Sequence, residues 1–171
     1  MKINTKSTLT AAMLTALAVS LSTFAIPIGA SKCFPIQHLC NVIAGVFLGP
    51  GYGVAMAFCT SLIRNLIGTG SPLAFPGSMV GAFLCGFLYQ HTGKLAAAYF
   101  GEVFGTGIIG GLLCYPVATL LMGQEAALFA YVITFLVSTA GGTVMAMILV
   151  GALYQSGAMS YLKGVLGGTA R

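Results

Sequence analysis

Four polar side chains crowd one short stretch of a chain that has few to spare. Lys32, Gln37, His38 and Asn41 fall within ten residues. Glutamine, histidine and asparagine together offer hydrogen-bond donors and acceptors, a set suited to orienting a small heterocycle. His38 and Asn41 lie three apart and would share one face of a helix. The alternative is that the cluster caps a helix and sits among lipid headgroups. Arg64 and Asn65 close a later apolar run. Arg64 either lines a pocket or snorkels to the interface, and Asn65 either caps exposed carbonyls or points inward. Phe75 and Ser78 offer an aromatic face and a hydroxyl, and Ser78 equally suits a helix N-cap. Glu102, inside an apolar helical run, is the most informative single residue, because an ionisable group at membrane depth is costly and marks function by default. Its other reading is a long-reach pair with Lys94.

These residues do not assemble into a catalytic set. The chain has two histidines, two glutamates and no aspartate, and no metalloprotease, Walker or nucleophile-elbow motif. Cys33 and His38, as a nucleophile pair, are the minor alternative. The five cysteines are scattered through apolar runs without a C-x-x-C pair and read as small buried hydrophobes. No metal or cofactor site is read in the sequence. Without a Walker loop, the chain cannot power transport by nucleotide hydrolysis itself.

The elements that must position these groups follow from composition. Of 171 residues 58% are hydrophobic and 5% charged, against about 25% charged in soluble domains. The mean hydropathy is +1.00, and glycine, common in membrane helices, occurs 24 times. This excludes a soluble globule. The seven basic residues are spread singly, which excludes a nucleic-acid surface. The expectation is an all-α membrane protein, a single domain over residues 1–171, with helices at about 9–28, 39–48, 52–67, 78–89, 95–122 and 126–154. Lys2 and Lys6 before the first apolar run suggest a signal peptide, but the run is about 20 residues and long enough to cross a bilayer, so it is read as a retained helix. With six crossings and both termini cytoplasmic, Lys2, Lys6, Lys94, Lys163 and Arg171 fall on the inner side, as the positive-inside rule requires. Lys32 and Arg64 are left near the outer face, beside the two longest irregular loops, and Glu125 marks an outer turn. Non-helical backbone at that depth is tolerated where it lines a cavity.

Helix 1 also carries Ala12 and Ala16 four apart, a spacing that lets another helix approach closely, either within the bundle or from a partner. Gly101, Gly105, Gly107 and Gly111 on helix 5 suit packing inside the bundle.

The run from Ile28 to His38, with Asn41, Gly49-Pro50, Ser61–Asn65, Gly68–Gly70 and Leu73–Met79, resembles the ThiW family over most of the chain, most strongly from residue 27 to 90. The resemblance implies the substrate-binding (S) component of an energy-coupling factor (ECF) vitamin transporter in a prokaryotic cell membrane. It implies a six-helix S-component bundle, a transmembrane coupling subunit and two ATPase subunits as partners, and hydroxyethylthiazole, a thiamin precursor, as ligand. Ala12 and Ala16 match the small-residue pattern that contacts the coupling subunit in such proteins. Gln37, His38 or Asn41 would then donate to the ring nitrogen, Glu102 would accept from the hydroxyl, and Phe75 or Tyr115 would stack. A neutral ligand does not need Lys32 or Arg64; if both line the pocket, an anionic vitamin gains weight. Another small vitamin, or a solitary facilitator without ATPases, is the alternative.

Overall fold

The computed structural model describes residues 4–28, 31–123, 125 and 127–166. Lys2 and Arg171, two of the charges assigned to the inner side, lie outside the described residues, as do Gly29 and Ala30 and the expected first residue of helix 6, Ala126. The described residues are 82% helical, which settles the class as all-α. Its helices are α1 Thr5–Ser20, α2 Pro35–Phe47, α3 Pro50–Leu66, α4 Ala74–Thr92, α5 Leu95–Leu121, α6 Ala130–Gln155 and α7 Ala158–Val165. A two-stranded antiparallel hairpin, β1 Ile26–Ile28 and β2 Ser31–Cys33, joins α1 to α2 with Ile26 opposite Cys33.

Several boundaries differ from the expected ones, each for a local reason. The first helix stops at Ser20 and tightens into a single 3-10 turn, Leu21–Thr23, rather than running to residue 28, a length that Pro27 would in any case interrupt, and the isoleucines flanking Pro27 favour strand. Helix α2 begins at Pro35, four residues earlier than expected. Proline at the first helical position costs nothing there, since that N–H has no intrahelical acceptor. Gln37 and His38, expected in a loop, are therefore helical. Pro50 starts α3 in the same way after Gly49, whose φ of 86° is open to glycine. Helix α4 begins at Ala74, which puts Phe75 and Ser78 inside it and removes Ser78 as an N-cap. The hairpin and α7 were not anticipated.

The surface is apolar, and polar groups are buried among the small apolar residues of the interior. Leu120, Leu121, Leu66, Ile148 and Ile133 are all more than two-thirds exposed, whereas the largest fully buried side chains include Arg64, Glu102 and Asn41. A soluble monomer rarely exposes contiguous apolar surface on this scale; a protein solvated by lipid does. Helices α5 and α6, with 27 and 26 residues, are long and apolar enough to cross a membrane. The chain is a membrane protein on these grounds.

Helix α2 lies at the centre, packed by α1, α3, α4, α5 and α6. The described ends of the chain meet: the Asn4 side-chain amide and the Ser7 hydroxyl both donate to the Leu166 carbonyl, and the Asn4 backbone N–H donates to the Tyr52 hydroxyl. Lys163 Nζ donates to the Tyr89 hydroxyl at 2.6 Å, tying α7 to the end of α4. Lys6, Lys94 and Lys163 thus belong to one end of the bundle. The starts of α2 and α4 and the end of α3 lie at the other.

Close helix contacts rest on glycine, as membrane interfaces require. Gly101 and Gly105 face α4, and Gly107 and Gly111 face α6. A Cβ on Gly86 would sit 2.6 Å from the Pro50 nitrogen and 2.7 Å from its Cα, backbone atoms that cannot swing away. Gly86→Ala is expected to destabilise the detergent-solubilised protein by about 1–3 kcal/mol in reversible unfolding, the usual cost of overpacking. Gly151→Ala, with nothing within 4 Å of the added carbon, is expected to be neutral or to stabilise by up to about 1 kcal/mol.

Candidate functional site

Glu102 fixes the floor of the site. It is fully buried in α5, and its Oε1 collects three donors. His38 Nδ1 lies at 2.9 Å, Asn41 Nδ2 at 3.0 Å and the Thr106 hydroxyl at 3.1 Å. Two come from α2 and one from the next turn of α5, so the carboxylate ties the central helix to its neighbour. Hydrogen bonds to such a group are about twice as strong as neutral ones. Gly81 of α4 makes room for it: a Cβ there would run into the Thr106 hydroxyl and lie 2.9 Å from Glu102 Oε2. Asn41 Nδ2 also reaches the Ser78 carbonyl at 3.3 Å, which brings in α4. Glu102 Oε2 and Asn41 Oδ1 are buried without a partner. Lys94 is exposed, and Glu102 pairs with His38 instead of Lys94.

Above this floor, at the end of the bundle away from the joined termini, lies a cavity of about 30 Å³, room for about two waters. The hairpin and the start of α2 contribute Lys32, Phe34, Gln37 and His38. The end of α3 and the start of α4 contribute Arg64, Ser71, Leu73, Ala74 and Ser78, and α6 contributes Phe135 and Ser138. Arg64 is 1% exposed, which removes snorkelling as its role. Its guanidinium stacks 3.6 Å over the Phe34 ring, donates from Nη1 to Gln37 Oε1 and reaches the Thr69 carbonyl at 3.4 Å. Gln37 Nε2 donates to Ser61, and Ser61 and Ser78 share a hydroxyl contact at 3.1 Å. The Phe34 N–H donates to the Ser138 hydroxyl at 2.8 Å, pinning the hairpin to α6.

Lys32, Gln37, His38, Arg64 and Ser78 therefore line one cavity, with Asn41 and Glu102 directly beneath it. With Nδ1 committed to Glu102, the other His38 nitrogen is the one left to address the cavity. It accepts from a hydroxyl when the ring is neutral and donates to a ring nitrogen when it is cationic. Asn65 is placed otherwise: its amide donates to the Ser61 and Ser71 carbonyls and braces the loop before α4. Phe75 packs on Phe58 with ring centroids 5.6 Å apart, and Tyr115 lies half-buried further along α5; neither lines the cavity. Phe34 and Phe135 supply its aromatic faces instead. Thr106 was within reach of sequence reasoning, lying one helical turn from Glu102. Ser138 was also within reach, one turn from Thr134 and Gly142 on a stripe of small and polar residues, whereas Phe135 carries no such signal.

Cys33 and His38 do not form a nucleophile pair. The Cys33 thiol is buried and contacts the Thr134 carbonyl at 3.5 Å. Burial pushes its pKa up, with only partial opposition from a hydrogen bond involving Ser138, and a thiol so disposed is a poor thiolate. Among the described residues no cluster of His, Cys, Asp or Glu is arranged to hold a metal.

The floor yields a paired test. Thr106→Val removes a hydroxyl donor from the carboxylate and is expected to cost about 1–3 kcal/mol in unfolding experiments in detergent. Thr60→Val removes a buried hydroxyl that has no partner and is expected to leave stability unchanged or raise it.

No curated protein matches the chain. A family model does, that of ThiW, the thiamine-precursor transporter protein, over residues 8–156. That span contains every residue that lines the cavity or builds its floor, and the chain belongs to the ThiW family.

Proposed function

We propose that this chain is the substrate-binding (S) component of an ECF-type transporter in a prokaryotic cell membrane. It binds hydroxyethylthiazole at the outer face for ATP-driven uptake with partner subunits. The observation that carries the reading is a cavity lined by polar and aromatic groups at one end of the bundle, in a member of a thiamine-precursor transporter family.

The orientation has two supports. The contact between Asn4 and Leu166 requires an even number of crossings, which α1–α6 supply. The end where they meet holds Lys6, Lys94 and Lys163, and cytoplasmic sides carry the excess of basic residues. The cavity then opens outward. Helix α7 lies along the inner surface, with Lys163 held by Tyr89.

In the cavity the thiazole ring lies against Phe34 and Phe135. Gln37 or His38 donates to its ring nitrogen, and the hydroxyl reaches toward Ser78 and the acceptors at the floor. Asn41 and Glu102 act through His38 by holding its ring. A ring needs more space than two waters, so binding displaces the hairpin or the segment before α4, the two parts of the wall that are not helix. Loop rearrangement of this kind is common on binding.

The partner surface is a groove between α1 and α3. Ala12 and Ala16 face Ala55 and Cys59 there, among Thr8, Val19 and Ile63. These small exposed side chains let a helix of the coupling subunit approach closely, and two ATPase subunits supply the energy that this chain lacks the motif to provide.

Mass spectrometry of protein purified from cells fed hydroxyethylthiazole is expected to find that compound or a thiazole derived from it in near-stoichiometric amount; a vitamin without a thiazole ring in its place would refute the ligand. Ala12→Leu with Ala16→Leu is expected to abolish co-purification with the coupling subunit while the isolated protein still binds thiazole. Uptake that persists without the coupling subunit would favour a solitary facilitator.

A further inference from the structure

Arg64 and Lys32 line the same cavity with no carboxylate between them. Among the described residues, the ion pair found is His38 with Glu102. That carboxylate lies at the floor, where His38, Asn41 and Thr106 already converge on its Oε1. The partners of Arg64 are all neutral: the Gln37 amide oxygen, the Thr69 carbonyl and the Phe34 ring. Its Nε has none. A guanidinium that is 1% exposed has given up its hydration, and a buried charge holds its place by pairing. The carbonyl end of α3 favours a cation nearby, but an exposed side chain at the helix end would meet that need. The starts of α2 and α4 also border the cavity, at Phe34 and Ala74, and bring the positive ends of two helix dipoles to it. The wall is built for negative charge, and hydroxyethylthiazole offers none.

We infer that the preferred ligand of this cavity is an anionic thiazole, carrying a carboxylate or a phosphate monoester, with the anion on Arg64 and Lys32 and the ring on Phe34 and Phe135. Arginine's planar fork suits either anion. The inference rests on the thiazole-binding reading and specifies the charge of the substrate.

Equilibrium dialysis of the full chain in detergent tests it with hydroxyethylthiazole, its phosphate monoester, the corresponding thiazole acetic acid and inorganic phosphate. At least one anionic thiazole is expected to bind about tenfold or more tightly than the neutral alcohol, with the advantage shrinking as salt is raised. The better of the two anions identifies the group. Arg64→Gln and Lys32→Gln are each expected to bring the ratio of anionic to neutral affinity toward one. Lys32 is exposed, so its variant keeps the test valid if Arg64→Gln does not fold. Neutral hydroxyethylthiazole binding as tightly as both anions would overturn the inference and leave the thiazole reading standing. Inorganic phosphate matching the ester would also overturn it, by showing a site for the anion alone. Failure of all three thiazoles to bind would overturn both.

Discussion

A carboxylate shut away from water must be met by donors, and in this molecule that requirement organises the centre of the bundle. Glu102 draws His38 and Asn41 from α2 and Thr106 from its own helix onto one oxygen. The arrangement holds only because Gly81 leaves space on α4. In lipid there is no hydrophobic drive between helices, so packing and interhelical hydrogen bonds must specify how they fit together. The Glu102 cluster is such a device. It fixes the rotation of the short central helix, and with it which side chains of α2 face the cavity. Glu102 Oε2 and Asn41 Oδ1 remain buried without partners, a cost that a purely structural cluster would have reason to avoid.

The wall above obeys a different rule. Its polar groups are strung together through Arg64, Gln37, Ser61 and Ser78, and Phe34 shields the guanidinium on one face. The cavity thus has acceptors below and cations beside it. Backbone that is not helical occurs here, at the hairpin and the segment before α4, where it lines the cavity.

Much of this is legible in the residues themselves because charge is so scarce. Once Lys6, Lys94 and Lys163 are explained as topology markers, Lys32, Arg64 and Glu102 stand out, and the structure gathers all three at one site. The cluster of Gln37, His38 and Asn41 is legible from density and helical spacing alone. The aromatic partners are not. Phe75 and Phe34 are equally plausible in sequence, and only the early start of α4 turns Phe75 toward Phe58. Ser138 belongs to a buried stripe of small and polar residues at helical spacing, with Thr134, Gly142, Thr143 and Ala146, but nothing of that kind marks Phe135. The hairpin was hidden for a similar reason. Three-residue strands are too short to show alternation, and Pro27 is a residue that sheets seldom carry.

The proposal that the cavity above Glu102 binds the ligand is tested most directly by a crystal structure of the chain with a thiazole. The ring is expected between Phe34 and Phe135, within hydrogen-bonding reach of His38 or Gln37, with Arg64 beside its substituent. A ring seated in the groove between α1 and α3, or among the side chains around Tyr115, would contradict it.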